Sequence, residues 1–305
     1  MKHIIKIATR KSPLALWQAR SVQSQLERAH PQLQCEIIGL STEGDQEQSK
    51  PLYDIGGKAL FVKSLQQALL SGQADCAVHC IKDMSVQPTN NLVIASVLQR
   101  HDPRDVLVCE QPHTLATLPA RAVIGTSSPR RTSLLQRARP DLIIKPIRGN
   151  LQTRLNKLNT DDYDAIILAA AGLRRLGLTE AIQEYFDVND FIPAIGQGAL
   201  GIECRKDDTS LIQQLQHLHH TTTAHCIEAE QTVNRVLNGD CHSAIGAHAE
   251  QQGDSLRLIA MVASLDGTRY LEASATGLPG QAQQLGQYVA DQLLQQGAES
   301  ILASQ

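Results

Sequence analysis

The residues most able to do chemistry in this sequence are cations. Arg10, Lys11, Lys58, Lys82, Arg130, Arg131, Arg148, Arg154, Arg174 and Arg175 all fall in or beside turns where a β-rich run ends and a helical pattern begins. A helix start offers unpaired N–H groups and a partial positive charge, which favour an anion. Arginine adds a planar fork that takes a carboxylate through two parallel bonds. As a set, these cations suit a ligand with several carboxylates or phosphates. Singly, each reads equally well as a solvated surface charge. No GxxxxGK(S/T) is present, and Gly196, Gly198 and Gly201 are not spaced as a GxGxxG fingerprint, so a nucleotide is not the favoured anion.

Asp83 directly follows Lys82 at the end of a predicted buried strand. A carboxylate among so many cations is expected to remain charged, and could then stabilise a cationic intermediate or relay a proton. The plainer reading is a strand-end cap or an ion pair. Cys241 sits in a polar loop, Asn238-Gly239-Asp240-Cys241-His242, whereas Cys76 and Cys109 lie in apolar strand patterns. Exposed loop thiols are the ones available for covalent chemistry, although most such cysteines are inert. His217, His219, His220 and His225 lack Cys or acidic partners at ligand spacing, so no metal site is expected.

The elements that must position these residues repeat. Ile4, Ile5 and Ile7 form a strand, Ser12-Pro13 supplies an N-cap and a first-turn proline, and Ala15, Ala19, Val22, Leu26 and Ala29 make an amphipathic stripe. Cys35–Leu40 reads as a strand, Gly56-Gly57-Lys58 leads into a helix near 59–70, and Asp75–Ile81 returns as a strand ending at Lys82-Asp83. Residues 121–175 follow the same plan. Ala122–Ile124 is a strand, Thr126-Ser127-Ser128-Pro129 is a turn with a Ser-Pro helix start, Leu142–Ile147 is a strand, Arg148-Gly149-Asn150 precedes a helix, and Asp164–Ala170 is a strand. This alternation predicts two parallel, doubly wound α/β domains, with a ligand site at the carboxyl ends of the strands in the cleft between them.

Residues 191–205 (FIPAIGQGALGIECR) lack helical periodicity and read as a segment returning the chain to the first domain. A helix near 224–237 follows, then short alternating strands near 244–250, 256–263 and 269–276 and a closing helix near 281–296. That is a small C-terminal α+β domain with a three-stranded antiparallel sheet. The expected domains are 1–98 with 199–217, 104–193, and 221–305.

Composition narrows the class. With 305 residues, 42% hydrophobic and 19% charged, the chain has material for two or three ordinary globular cores. A net charge of −3, a pI near 6.4 and only 3% aromatics argue against a nucleic-acid groove. No apolar run is long enough to span a bilayer, and the first residues carry no signal-peptide pattern. Seven scattered cysteines without a CxxC are expected to be reduced, which points to the cytoplasm.

Several blocks together resemble one family. IATRKSPLALWQA (7–19), GGKALFVK (56–63), AVHCIKD (77–83), HDPRD (101–105), IGTSSPRR (124–131), IRGNLQTRL (147–155), YDAIILAAAGLRRLGL (163–178), PAIGQGALGIECR (193–205) and, more weakly, NGDCHSAIGAHAE (238–250) are similar to porphobilinogen deaminases, also called hydroxymethylbilane synthases. The resemblance spans essentially the whole chain. It implies two periplasmic-binding-protein-like domains plus a small third domain, and a tetrapyrrole-synthesis enzyme that joins four porphobilinogens head to tail, with loss of ammonia, into hydroxymethylbilane. It implies a dipyrromethane cofactor on a thioether to Cys241 and Asp83 as the catalytic aspartate. Lys82, Thr126, Ser127, Ser128, Arg130, Arg131, Arg148 and Arg154 match cofactor-side positions. Arg10, Ser12, Gln18 and Arg175 match substrate-side positions, and Phe61 matches an aromatic near the growing chain.

The substrate's acetate and propionate groups suit the cations, and a fixed carboxylate suits positive charge on ring nitrogen. The expected partner is porphobilinogen, with no nucleic acid and no membrane, and the expected state is a monomer. The chain departs from the family's usual pattern at Cys80, Met84-Ser85, Pro129, Asp240 and Ala244. The residues alone also permit a non-catalytic two-domain anion-binding protein.

Overall fold

The computed structural model describes residues 3–41, 59–85, 89–158, 163–240 and 242–305, with backbone only at 3 and 59–61. The chain forms two compact units, Met1–His101 with Ala199–Ala224, and Asp102–Gly198 with His225–Gln305.

The first unit opens with strand β1 (His3–Arg10), helix α1 (Pro13–Ala29), β2 (Leu33–Leu40), α2 (Ala59–Leu70), β3 (Cys76–Cys80) and β4 (Leu92–Val97). The helix α1 starts where the sequence requires. Ser12 is extended, its hydroxyl accepts from Ala15 N–H at 3.4 Å, and Pro13 fills the first turn. Its stripe of Ala19, Val22 and Leu26 is wholly buried against Ile5, Ile7, Cys76 and Val78 of the sheet. Leu65, Ala68 and Leu69 of α2 cover Ala8 and Ala77 on the other face.

The second unit repeats this with β5 (Asp105–Val108), β6 (Val123–Gly125), α3 (Pro129–Ala138), β7 (Ile143–Lys145), α4 (Leu151–Leu158), β8 (Ala165–Ala169), α5 (Ala170–Arg175) and β9 (Ile182–Tyr185). Pro129 does not disturb its helix. Ser128 caps Arg131 N–H at 3.4 Å, the same geometry as the Ser12-Pro13 start. The chain then returns to the first unit as β10 (Leu200–Arg205) and α6 (Thr209–Leu215).

Both sheets have five strands in equivalent order, β2-β1-β3-β10-β4 and β7-β6-β8-β5-β9. They are mixed rather than all parallel. In each, one strand runs against its neighbours: β10 against β3 and β4, and β5 against β8 and β9. These are the strands made by the chain just after it passes from one unit to the other. Each is inserted between the third strand of its sheet and the edge strand, β4 or β9.

Helix α7 (Thr221–Val236) leads to β11 (Ile245–Gln252), β12 (Ser255–Ala263), β13 (Tyr270–Gly277), α8 (Ala282–Gln295) and α9 (Ala298–Leu302). The three strands form an antiparallel sheet in that order. Strand β12 reads SLRLIAMVA because both of its faces are buried. Leu256, Leu258, Ala260 and Val262 pack with Val289 and Leu293, while Ile259, Met261 and Ala263 join Ile124, Leu134 and Leu135. The C-terminal sheet therefore shares a core with the second five-stranded sheet.

Candidate functional site

In the first unit the candidate residues gather at the carboxyl ends of β1 and β3. Arg10 ends β1 and Ser12 caps the following helix. The turn between them is tied by Thr9 Oγ1, which donates to the Ala15 carbonyl at 3.1 Å. Gln18, buried on α1, donates through Nε2 to Cys80 Sγ at 3.2 Å, which links α1 to the end of β3. A single 3-10 turn, Ile81–Asp83, follows, closed by Met84 N–H on the Ile81 carbonyl at 3.0 Å. Buried Ile81 anchors it, so Lys82 and Asp83 come out half-buried on a fixed turn.

Behind the turn, on the α2 side of β3, lies a buried pair. His79 Nε2 stands 3.0 Å from Glu203 Oε2, and Gln66 Nε2 donates to Glu203 Oε1 at 2.9 Å. Phe61 lies on α2 but its side chain, like Lys58 and Cys241, is outside the described residues.

In the second unit the ends of β6 and β7 lie side by side. Thr126 N–H donates to the Lys145 carbonyl at 3.0 Å, Ser127 Oγ to the Ile147 carbonyl at 2.9 Å, and Ser128 N–H to Thr126 Oγ1 at 3.2 Å. The next turn holds Arg148 and Arg154. Gly149 takes φ +114°, its carbonyl accepts from Arg154 Nε at 2.9 Å, and Asn150 Oδ1 accepts from Thr153 N–H at 3.0 Å. Arg175, at the end of α5, is buried and donates to the Gly198 carbonyl at 2.7 Å, whereas Arg174 is exposed and 3.6 Å from Asp102.

Arg130 and Arg131 do not project from the surface. They are 3% and 7% exposed and share one carboxylate, Asp105, which is 0% exposed. Arg130 Nη2 donates to Asp105 Oδ2 at 2.6 Å and Nη1 to the Ile192 carbonyl at 2.7 Å. Arg131 Nη2 and Nε donate to Asp105 Oδ1 at 2.6 and 3.1 Å, and Nη1 to the Ile167 carbonyl at 2.8 Å. Gln197 Nε2 adds a bond to Asp105 Oδ1 at 2.9 Å. Burial would raise the Asp105 pKa, but the two guanidinium charges and the bonds from Arg131 and Gln197 outweigh it. The carboxyl is held well below the usual range.

Asp105 and Gln197 went unremarked in the sequence reading. The available signal was a carboxylate opening a strand whose four residues are otherwise wholly apolar.

The loop before β11 is organised by Asp240. Its Oδ1 accepts from His242 N–H at 2.8 Å, Ser243 N–H at 3.0 Å and Ser243 Oγ at 2.8 Å. Burial opposes ionisation there, yet these bonds hold the carboxyl below its ordinary value.

Among the described residues, the buried guanidinium atoms Arg130 Nε and Arg148 Nη1 are two that have no hydrogen-bond partner. An arginine donor hidden from water without an acceptor is costly unless a ligand supplies one. Together with the two arginines that share Asp105, this donor set fits a group carrying several carboxylates. Among the described residues no three His, Cys, Asp or Glu side chains are disposed to hold a metal ion, and no helix is long and apolar enough to cross a membrane.

The chain has clear relatives. A family model described as porphobilinogen deaminase, dipyromethane cofactor binding domain, matches residues 5–213, and one described as porphobilinogen deaminase, C-terminal domain, matches residues 224–295. The porphobilinogen deaminase of Coxiella burnetii (strain Dugway 5J108-111) is 52% identical over 301 residues, covering 99% of this chain and 97% of that protein. That of Methylobacillus flagellatus is 47% identical over 298 residues, covering 98% and 96%.

Among solved structures, the periplasmic VFT2 domain of Bordetella pertussis BvgS is 18% identical, with a TM-score of 0.41 over 70% of this chain and 85% of that one. A Salmonella typhimurium periplasmic binding protein of high arginine specificity is 16% identical, with a TM-score of 0.41 over 73% and 94%. Matched along nearly its whole length by both family models and by relatives at about half identity, this chain belongs to the porphobilinogen deaminase family.

Proposed function

We propose that the chain is a working porphobilinogen deaminase, a transferase that joins four porphobilinogens head to tail and releases hydroxymethylbilane. In each condensation the aminomethyl nitrogen of one porphobilinogen leaves as ammonia. Its methylene carbon bonds to the free ring carbon at the growing end, which gives up its proton. Water finally releases the linear product. The observation that carries this reading is the donor set of the second unit, in which two arginines share Asp105 while Arg130 Nε and Arg148 Nη1 keep donors without acceptors. A pyrrole bearing an acetate and a propionate supplies such acceptors.

In this reading Cys241 carries the dipyrromethane through a thioether, and the group supplies the ring carbon from which the chain grows. Arg130, Arg131, Arg148, Arg154 and Lys82 hold its carboxylates, while Thr126, Ser127 and Ser128 offer hydroxyl and N–H donors. Arg10, Ser12, Gln18 and Arg175 hold the incoming porphobilinogen, and Phe61 packs against the chain. Asp83 acts as the catalytic carboxylate. Its fixed negative charge stabilises positive charge on ring nitrogen and orients the ring N–H, an electrostatic task that suits a carboxylate on a rigid turn.

The domains in this reading are 1–98 with 199–217, 104–193 and 221–305, and the protein acts as a cytoplasmic monomer. A non-catalytic anion-binding protein is disfavoured by the full-length family match. The test is turnover: purified chain given porphobilinogen should release ammonia and hydroxymethylbilane. Tight binding without ammonia release would overturn the reading.

A further inference from the structure

The Asp105 cluster carries more than packing. Two guanidinium groups and one carboxylate sum to one net positive charge in a place almost closed to water. Among the described residues no second carboxylate lies within ion-pair distance of either arginine. Burying an uncompensated charge costs several kcal/mol, so the arrangement is stable in isolation only at a penalty, which an arriving anion relieves.

The geometry is also over-determined. Each guanidinium is fixed at two points, one on a separate Asp105 oxygen and one on a main-chain carbonyl: Ile192 for Arg130 and Ile167 for Arg131. Two-point attachment fixes the plane of a fork, not merely its position. Gln197, held between Gly196 and Gly198 at positive φ, bridges Asp105 and the Pro103 carbonyl and so fixes the carboxylate in turn.

We propose that Asp105 is the positioning residue for cofactor capture: it sets the planes of Arg130 and Arg131, cancels one of their two charges, and leaves the other charge with Arg130 Nε for a carboxylate of the dipyrromethane. This rests on the reading that these two arginines hold the cofactor. Asp105 itself touches no ligand in this scheme. It acts through the arginines, as an outer partner does in orienting a metal ligand, where loss typically costs about 10- to 100-fold.

The test follows cofactor capture by the full-length chain, prepared without cofactor and incubated with porphobilinogen, by intact mass under denaturing conditions. Asp105→Asn should slow capture about 10-fold or more in the protein that remains folded. Gln197→Met, which keeps both ion pairs, should slow it about 2-fold. Capture at the wild-type rate by folded Asp105→Asn overturns the proposal.

Should Asp105→Asn fail to fold, the double variant Asp105→Asn/Arg130→Met restores the buried charge to its original value and serves instead. It should capture at least several-fold more slowly than Arg130→Met alone, because Arg131 has lost its anchor; equal rates overturn the proposal. Wild-type capture by both Arg130→Met and Arg131→Met would instead remove the reading on which the proposal rests. Slow capture by those variants with normal capture by the Asp105 variants would sink the proposal alone.

Discussion

The two five-stranded sheets have the same strand order, yet they treat a buried carboxylate in opposite ways. Each carries it on the strand that runs against the rest. In the first unit Glu203 on β10 meets His79 and Gln66; in the second, Asp105 on β5 meets Arg130, Arg131 and Gln197. An imidazole can shed its charge, whereas a guanidinium does not. The first arrangement sets one imidazole and one amide against one carboxylate and so holds no excess of cations. The second keeps an excess positive charge under all ordinary conditions, and among the described residues Arg130 Nε and Arg148 Nη1 have no acceptor. In the proposed reading, the plan serves once beside the turn that carries Asp83 and once to hold charge for a polyanion.

The largest expected effect separates those roles. Asp83→Ala should lower turnover of porphobilinogen by about 10²–10³-fold, the loss seen when a transition-state electrostatic partner is removed, while leaving cofactor on the chain. Arg148→Leu should do the reverse, reducing the fraction of chain that carries cofactor with little change in melting temperature. Steady-state rates and intact mass on the same preparations check both. If Asp83→Ala loses cofactor and keeps turnover, the assignment of roles to the two units collapses.

Next comes stability. Asp105→Asn leaves two buried guanidinium groups unpaired and should cost about 3–5 kcal/mol. Glu203→Gln keeps a hydrogen-bonding amide beside His79 and Gln66 and should cost about 1–3 kcal/mol. Denaturant unfolding of the two variants measures the difference, and equal losses would erase the comparison.

Acid should expose the same asymmetry. Asp105 has a folded-state pKa below its unfolded value, near 3.9. Its contribution is thus complete above that pH and is lost as pH falls toward the folded value. Wild type should lose stability more steeply below about pH 4 than Asp105→Asn does, which parallel unfolding curves at pH 5 and pH 3 would reveal.

The smallest effect concerns the paired helix starts. Ser12→Ala and Ser128→Ala should each cost about 0.5–2 kcal/mol, and by similar amounts, because their caps share a geometry. A large inequality would mean that Pro129 changes its turn after all.

Much of this was legible in the residues. Ser-Pro pairs marked both helix starts, and the stripe Ala19, Val22, Leu26 marked the buried face of α1. Alternation placed β11, β12 and β13 within a few residues. The direction of β5 and β10 was not legible, because an apolar run such as DVLV or LGIECR has no sense of parallel or antiparallel. The inward turn of Arg130 and Arg131 was missed for a different reason. Position beside a turn suggested exposure, but Arg130 and Leu134, and Arg131 and Leu135, lie four apart on the buried face of α3. Read by period rather than by residue type, both arginines belonged to the core and demanded a buried carboxylate. The site residues Cys241 and Phe61 rest on sequence alone, since their side chains fall outside the described residues.

The most direct measurement is the intact mass of the full-length chain under denaturing conditions after incubation with porphobilinogen, for wild type and Cys241→Ser. The account predicts an excess on the wild type equal to two porphobilinogens less two ammonias, absent from the variant. A bare polypeptide mass on the wild type, or an excess that survives in Cys241→Ser, would contradict it.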